Sequence, residues 1–138
     1  MRRPLTLRIR HNNSLFLPRP PMTRDYMQQL IRENLKVTEL TDRARVISGD
    51  SMEYLSCLRE KFDIVLLDPP YEAGLLEPVI SHIAKFDILA PHGIIVAEHP
   101  VGLAMPALSA PYRLHRTYRY GKIGLTVYRR DGNQNTEE

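Results

Sequence analysis

The feature that most constrains this chain is a short apolar run that ends at an acidic residue and two prolines. Residues 64–67 read Ile-Val-Leu-Leu, and Asp68, Pro69, Pro70 and Tyr71 follow directly. A short apolar run that stops in this way is typical of a strand buried on both faces of a parallel sheet. Open parallel sheets bind ligands just beyond the carboxyl ends of their strands. The sequence therefore predicts a functional site at this tetrapeptide.

The tetrapeptide is suited to holding a planar amine. Two prolines remove two backbone donors and fix φ, so the turn presents carbonyl oxygens. Asp68 adds a carboxylate acceptor, and Tyr71 adds a flat ring that can stack on a base. Hydrogen bonds from an exocyclic base amine to Asp68 and the Pro69 carbonyl would direct the nitrogen lone pair toward an electrophile. Catalysis of this kind relies on positioning and electrostatics, not on a strong base.

The wider sequence resembles a known enzyme family. Asp-Pro-Pro-Tyr after a buried strand is similar to the signature of amino-group methyltransferases that use S-adenosylmethionine. An ordered set of segments resembles the bacterial 16S ribosomal RNA guanine-N2 methyltransferase family over residues 23–130. The segments are QLIRENL at 29–35, ARVISGD at 44–50, DPPY at 68–71, APHGIIVAEHP at 90–100 and YRYG at 118–121. DNA adenine methyltransferases share the tetrapeptide, whereas the ordered set is more specific.

The resemblance implies an α/β, Rossmann-like class I methyltransferase fold, with a mostly parallel sheet and a C-terminal antiparallel hairpin. It implies S-adenosylmethionine as methyl donor and the N2 amine of a guanine in 16S ribosomal RNA as acceptor. The RNA partner would be free or part of a small-subunit assembly. The catalytic residues that the resemblance implies are Asp68, Pro69, Pro70 and Tyr71.

The cofactor-binding residues implied by the resemblance are Asp50, Ser51 and Asp68. In the family, the acid at the position of Asp50 contacts the adenine amine of the cofactor. The alternative is that Asp50 or Ser51 caps the following helix, and one side chain can do both. Two interpretations also remain open for Glu98 and His99: they line the pocket or orient its backbone, or they hydrogen-bond the following loop.

The N-terminal part departs from the family. The family's domain begins with a strand and a glycine-rich turn around the methionine end of the cofactor, whereas no glycine here precedes Gly49. We therefore expect the first strands and the glycine loop to be missing or replaced, and the chain to be inactive alone. Residues 1–22 are expected to be a poorly ordered lead-in, transit-like or out of frame, although residues 5–9 alternate as a strand does.

The hydrophobic pattern predicts one partial methyltransferase domain over residues 23–130 and a disordered tail over 131–138. The apolar stripe of the first helix is expected to pack in the core; it comprises Tyr26, Met27, Leu30, Ile31 and Leu35. The predicted helices are residues 24–36, 52–59 and 74–86. The predicted strands are residues 44–48, 64–67, 94–97, 112–120 and 123–130, with a turn at 90–93 and a loop at 100–111.

Cationic and aromatic side chains alternate along the two last strands. They suit contacts with phosphates and stacking on bases, for which both Tyr118 and Tyr120 offer rings. The candidate RNA-binding residues are Arg113, Arg116, Arg119, Tyr120 and Lys122. The alternative is an ordinary solvated edge strand that its charges protect from aggregation.

Composition narrows the remaining classes. The net charge of +3 is compatible with an RNA partner but does not establish one. Cys57, the single cysteine, excludes an intrachain disulfide and a multi-cysteine metal site, and it is expected to be a buried thiol. No spacing suggests a metal, and no apolar run reaches membrane-spanning length. We expect a cytoplasmic monomer. The alternative functions are a DNA amino-methyltransferase, acting on adenine N6 or cytosine N4, and a non-catalytic RNA-binding remnant.

Overall fold

Three parallel strands and an antiparallel hairpin form one sheet. The computed structural model describes residues 6–9, 24–47, 50–68 and 74–133. The strands are β1 Thr6–Ile9, β2 Phe62–Leu67, β3 Leu89–Pro100, β4 Tyr112–Tyr120 and β5 Ile123–Arg130, and the helices are α1 Arg24–Val37, α2 Ser51–Cys57 and α3 Leu76–Lys85. The five strands lie in the order β1-β2-β3-β5-β4. The α/β class predicted from the sequence is confirmed.

The parallel strands end together at one edge of the sheet. β1 pairs with β2 and β2 with β3, in a register that aligns Ile9, Leu67 and Ala97. β5 then pairs antiparallel with β3, and β4 with β5, over the bounds predicted for the last two strands. The carboxyl edge of the parallel strands is therefore also the edge at which β4 turns into β5.

One face of the sheet is packed and the other is open. The packed face carries fully buried side chains, and α2 and α3 contribute Leu55, Val79, Ile80 and Ile83 to the same core. On the open face, side chains are only partly buried or exposed. We define the packed face by Val65, Leu67, Ile95, Ala97, Thr126 and Tyr128, and the open face by Ile64, Leu66, Ile94, Val96, Leu125 and Val127.

Helix α1 begins where the sequence predicts it but does not bury its stripe. Tyr26 is 48% exposed and Ile31 36% exposed, while Leu30 and Leu35 are half-buried. The side chain of Met27 lies outside the described residues. The prediction of core packing is therefore wrong for the described members of the stripe. An apolar periodicity shows which side of a helix can be buried, but burial also requires a second surface that packs against that side.

The predicted strand at residues 44–48 is not observed. Residues 44–47 form no strand, and residue 48 lies outside the described residues. A strand exists only through pairing with a neighbour, and the position beside β2 is occupied by β1. The segment Thr6–Ile9 thus forms the strand that its alternation allows.

The turn predicted at residues 90–93 lies inside β3. Phe62 pairs with Leu89 and Ile64 with Ile94, so the register shifts while the strand continues. A Cβ on Gly93 would lie 2.8 Å from the Ala90 carbonyl oxygen, so that only glycine fits this irregularity without displacing the backbone. The prediction placed the start of this strand at Ile94 and was wrong, because β3 already begins at Leu89.

Helix α2 turns its cysteine to solvent. Ser51 and Leu55 are buried and lie four residues apart, on one face of the helix. Cys57 is two residues further, about 200° around the helix axis, and is exposed. The expectation of a buried thiol is therefore wrong. None of the helices in the described ranges has the length and apolar content needed to cross a membrane.

A carboxylate cluster joins the elements at the opposite, amino edge of the sheet. Asp87 accepts hydrogen bonds from Arg130 Nε at 2.7 Å and Arg130 Nη2 at 3.0 Å, from Tyr112 Oη at 2.9 Å and from Lys61 Nζ at 3.0 Å. The Tyr112 hydroxyl in turn accepts from the Leu89 amide at 3.2 Å. These contacts connect the starts of β2, β3 and β4 to the end of β5.

The charges in this cluster shift its acid–base equilibria. The Arg130 hydrogen bonds, assisted by Lys61 and Tyr112 and opposed by burial, hold the pKa of Asp87 well below its usual range. Burial, followed by the neighbouring carboxylate of Asp87, raises the pKa of Tyr112. Asp87 has a backbone φ of 49°, a left-handed conformation that Asp and Asn tolerate better than most residues. Replacement by Asn therefore removes the charge with little change in backbone preference.

We expect Asp87→Asn to lower the free energy of unfolding by about 1–2 kcal/mol, because it leaves the largely buried guanidinium of Arg130 without its counter-charge. The range is reduced for solvent screening, since the Asp87 side chain is 39% exposed. Urea unfolding at neutral pH measures the change. Asp131→Asn is the matched control, because Asp131 pairs with Arg113 at a similar 3.0 Å but both side chains are more than half exposed. An equal loss in both variants would contradict a special role for Asp87.

The same cluster predicts a dependence on pH. A carboxyl whose folded pKa is lowered stabilises the protein above its unfolded pKa, and this contribution is lost as the pH falls toward the folded value. We expect the melting-temperature difference between the wild type and Asp87→Asn to be constant near neutral pH and to shrink below about pH 4. A difference that stays constant down to about pH 2 would contradict the lowered pKa.

Candidate active site at the carboxyl edge

Asp68 lies directly beyond the carboxyl end of β2, the central strand of the parallel part of the sheet. β1 and β3 end or pass beside it, because Ile9 and Ala97 are level with Leu67. Its side chain is half-buried. Pro69, Pro70 and Tyr71 lie outside the described residues, so Asp68 is the described member of the predicted catalytic set. The placement agrees with the edge at which parallel sheets bind ligands.

Glu98 is the nearest acid on the neighbouring strand. It follows Ala97, the partner of Leu67, so the residues after β2 and the position of Glu98 are level across the sheet. Alternation places Glu98 on the open face with Val96, and continuing the alternation of β2 by one residue places Asp68 there with Leu66. Both carboxylates are half-buried and both have partners. The edge thus presents two acceptor groups on one face.

His99 points to the packed face and holds strands together. Its side chain is 3% exposed. Nδ1 lies 2.9 Å from the Pro100 carbonyl oxygen, which can only accept, so Nδ1 carries the proton. Nε2 lies 2.7 Å from the Thr126 hydroxyl, which in turn lies 3.0 Å from the Thr117 hydroxyl, so the three side chains form a hydrogen-bonded row. Of the two readings left open, the hydrogen-bonding one describes His99.

The His99 ring requires a glycine beside it. A Cβ on Gly124 would lie 2.5 Å from His99 Cε1. Gly124 pairs with His99 across β3 and β5 and with Arg119 across β5 and β4. The ring therefore fills the space that a side chain at residue 124 would occupy, and the relay of Thr117, Thr126 and His99 fixes the hairpin to β3 close to the site.

Asp50 caps helix α2. Its Oδ1 accepts hydrogen bonds from the amides of Met52 at 2.9 Å and Glu53 at 3.0 Å. Asp50 has extended backbone angles, as an N-cap residue does, and its side chain is exposed. The capping alternative stated for Asp50 is thus observed. A contact with the adenine amine of a cofactor remains a prediction.

Ser51 contributes a buried hydroxyl beside this cap. The residue is 7% exposed, and its Oγ has no hydrogen-bond partner among the described residues. A buried hydroxyl left unpaired is unfavourable by about 1–3 kcal/mol, so its presence suits a site that a polar ligand completes. Because a short connection leads from the end of α2 to the start of β2, we expect the first residues of α2 to lie toward the carboxyl edge.

The residues present therefore fit one part of S-adenosylmethionine and not the other. Asp50 and Ser51 supply a carboxylate and an orphaned hydroxyl suited to the adenosine part of the cofactor. The methionine part needs close approach of backbone, which glycines permit, and no glycine precedes Gly49 in the sequence. Among the described residues, no group of three His, Cys, Asp or Glu side chains is arranged to hold a metal ion.

The candidate RNA-binding residues all lie on the β4–β5 hairpin and are exposed. Arg113 donates from Nε to Asp131 Oδ1 at 3.0 Å, and Arg119 donates from Nε to the Gly121 carbonyl at 3.3 Å. The sequence prediction omitted Arg129. Arg129 pairs with Arg113 across the hairpin, a relation that the strand register reveals and sequence spacing alone does not.

Comparisons with known proteins agree with this architecture. The family described as "Conserved hypothetical protein 95" matches residues 23–129. The chain is 34% identical over 110 residues to "Ribosomal RNA small subunit methyltransferase D" of Escherichia coli K12, covering 80% of this chain and 54% of that protein. It is 31% identical over 107 residues to "Putative rRNA methyltransferase YlbH" of Bacillus subtilis, covering 75% and 58%. The chain thus spans a little over half the length of these curated relatives.

A solved structure shares the fold. It is that of a "conserved hypothetical protein" from Streptococcus pyogenes, with a TM-score of 0.70 and 25% sequence identity. The match covers 80% of this chain and 69% of that one. The shared fold therefore extends over most of this chain.

We expect the two residues at the start of α2 to respond differently to truncation. Asp50→Ala removes two capping hydrogen bonds and should lower the free energy of unfolding by about 1 kcal/mol. Ser51→Ala removes a hydroxyl without a described partner and should leave stability within about 0.5 kcal/mol of the wild type, or raise it. Urea unfolding of both variants without ligand measures this. A loss in Ser51→Ala as large as in Asp50→Ala would show that the hydroxyl is already satisfied.

Proposed function

The chain belongs to the family described as conserved hypothetical protein 95, and on that premise we propose that it takes part in methylation of small-subunit ribosomal RNA. The specific proposal is methyl transfer from S-adenosylmethionine to the exocyclic N2 amine of a guanine. The family membership confirms the resemblance seen in the sequence. Names of the curated relatives support the RNA substrate, while the target atom is our proposal.

The observation that carries the proposal is the position of Asp68. A carboxylate that directly follows a buried parallel strand stands where such sheets bind small ligands, and its side chain shares the open face with Glu98. Asp50 caps helix α2 and Ser51 begins it, and because the other end of α2 leads into the start of β2, we place these two polar residues toward the same edge. Acceptors gathered at one sheet edge suit an amine substrate beside a nucleoside-containing cofactor.

Each residue of the tetrapeptide has a proposed role. Asp68 and the Pro69 carbonyl accept hydrogen bonds from the two N–H groups of the guanine amine, which directs its lone pair. Pro70 keeps the turn rigid, and Tyr71 stacks on the base after the base has left its helix. Bound S-adenosylmethionine supplies a methyl group activated by its sulfonium charge. Asp50 and Ser51 hold the adenosine part.

The proposal includes low activity of the chain by itself. We place the site in a domain of residues 23–130, and Thr6–Ile9 adds strand β1 to its sheet. Because residues 1–48 contain no glycine for a turn around the methionine part of the cofactor, we expect this chain to bind S-adenosylmethionine weakly and to turn over slowly. Asp68 should nevertheless still position the amine, because strand β2 and not the glycine loop holds Asp68 in place.

A titration and a transfer assay test the proposal together. We expect calorimetry with S-adenosylmethionine to give a Kd above about 1 mM. We expect excess protein at high cofactor concentration to transfer labelled methyl groups slowly to guanine N2 of unmethylated small-subunit RNA. Asp68→Ala should reduce the transfer rate at least about 100-fold, because the amine loses its carboxylate acceptor. Asp63→Ala is the matched control, since Asp63 is also a half-buried acid and lies at the other end of the same strand.

The outcomes separate the alternatives. Tight, saturable cofactor binding would refute the weak-binding part of the proposal. Methylation of adenine N6 or cytosine N4 in duplex DNA, with none in ribosomal RNA, would favour a DNA methyltransferase instead. Transfer that is unaffected by Asp68→Ala would remove the proposed role of the carboxylate.

A further inference from the structure

The β4–β5 hairpin is one-signed in charge. Residues 112–130 contain six cationic side chains and no Asp or Glu; the cations are Arg113, Arg116, Arg119, Lys122, Arg129 and Arg130. Arg130 is committed to Asp87, and Arg113 is paired with Asp131. The remaining four cations form no ion pair with a carboxylate of the described residues. A surface of this kind is complementary to a polyanion.

The strand register sorts these side chains by face. Thr117 and Thr126 are hydrogen-bonded on the packed face, and Arg119 stands opposite Gly124 on that face. Arg116 stands opposite Val127, and Tyr118 opposite Leu125, so both belong to the open face. The guanidinium of Arg116 lies 5.0 Å from the Tyr118 ring centroid, which confirms that these two side chains share one face.

Two aromatic rings on the open face are available for stacking. Tyr118 is 37% exposed, and Tyr120, which stands opposite Ile123, is 62% exposed. Tyrosine rings on a sheet surface offer π-faces to unstacked bases, and an adjacent arginine adds a cation and a phosphate contact. A base-paired duplex would hide the base faces that such rings contact. The chemistry therefore favours a single strand.

Charge is divided along the open face. The acids are Asp68, directly after β2, and Glu98 on β3. The cations are Arg129 on β5 and Arg116 on β4. Glu98, Leu125 and Tyr118 are paired in sequence across β3, β5 and β4, and Asp68 adjoins this row on β2. Three inter-strand spacings separate the ends of the row, about 14 Å. Acceptors for an amine thus stand at one end and phosphate- and base-binding groups at the other.

We propose that the open face of the hairpin binds single-stranded RNA through Arg116, Tyr118 and Tyr120, and leads the strand across the sheet toward Asp68. This inference rests on the proposed function for the identity of the RNA, but it concerns a different surface and a binding event that needs no cofactor. A platform of this width accommodates two or three bases, as in other sheet-surface RNA readers. Arg119, on the packed face, takes no part.

The test is a fluorescence-anisotropy titration without cofactor. The probe is a labelled single-stranded RNA of about 12 nucleotides and mixed sequence, and the comparison is the same RNA annealed to its complement. We expect Tyr118→Ala and Arg116→Gln each to raise the Kd for the single strand by about 5-fold to 100-fold. Arg119→Gln is the matched control, because it removes the same charge from the same strand on the other face. Its Kd should stay within about 2-fold of the wild type.

Conservative variants separate binding from folding. Tyr118→Phe keeps the ring and should bind as the wild type does, whereas Tyr120→Ala should weaken binding even if Tyr118→Ala fails to fold. Far-ultraviolet circular dichroism checks each variant. An equal loss in Arg116→Gln and Arg119→Gln would overturn the proposal in favour of diffuse charge attraction, and so would equal affinity for the duplex.

Failure of the RNA-binding proposal can be distinguished from failure of the proposed function. Binding that depends on Arg116 and Tyr118 in the absence of any methyl transfer would support the platform and refute the enzyme proposal. Methyl transfer whose KM and rate are unchanged by Arg116→Gln and Tyr118→Ala would refute the platform and leave the enzyme proposal standing.

Discussion

The alignment of three parallel strands is the constraint on which the remaining arrangement depends. Because β2 pairs in register with both β1 and β3, Ile9, Leu67 and Ala97 end up level, and the residues that follow them meet at one edge. The sequence marks Asp68 as the residue that ends a strand, but only this pairing determines which residues lie beside it. The same alignment brings Glu98 beside it and sets the hairpin turn at that edge. Chemistry at the site is thus a consequence of sheet register.

The two edges of the sheet have different tasks. At the amino edge, Asp87 joins strands that are distant in sequence, and its contacts are satisfied within the protein. At the carboxyl edge, Ser51 leaves a buried hydroxyl without a described partner, and the open face leaves aromatic and cationic groups exposed. The first edge is suited to stability and the second to binding. Close to the carboxyl edge, His99 fixes the hairpin to β3 from the packed face.

Sequence patterns predicted what is local and missed what depends on a partner. The hairpin strands have the predicted bounds, since Gly121 and alternating side chains define them locally. Capping by Asp50 was foreseen as an alternative for the same reason. Two predictions were wrong: that the apolar stripe of α1 is buried, and that residues 44–48 form a strand. Burial and pairing both require a second surface, which periodicity does not reveal. The two faces of the hairpin became visible only through register, which separates Arg116 from Arg119.

The central claim is that Asp50, Ser51 and Asp68 belong to one binding edge. An amide NMR titration with S-adenosylmethionine tests it most directly, because chemical shifts report weak binding residue by residue. The account predicts progressive shifts at the amides of Ser51 and Met52, at Asp68 and at Glu98, with none at Asp87 or along α1. Shifts confined to other parts of the molecule, or none at any accessible concentration, would contradict it.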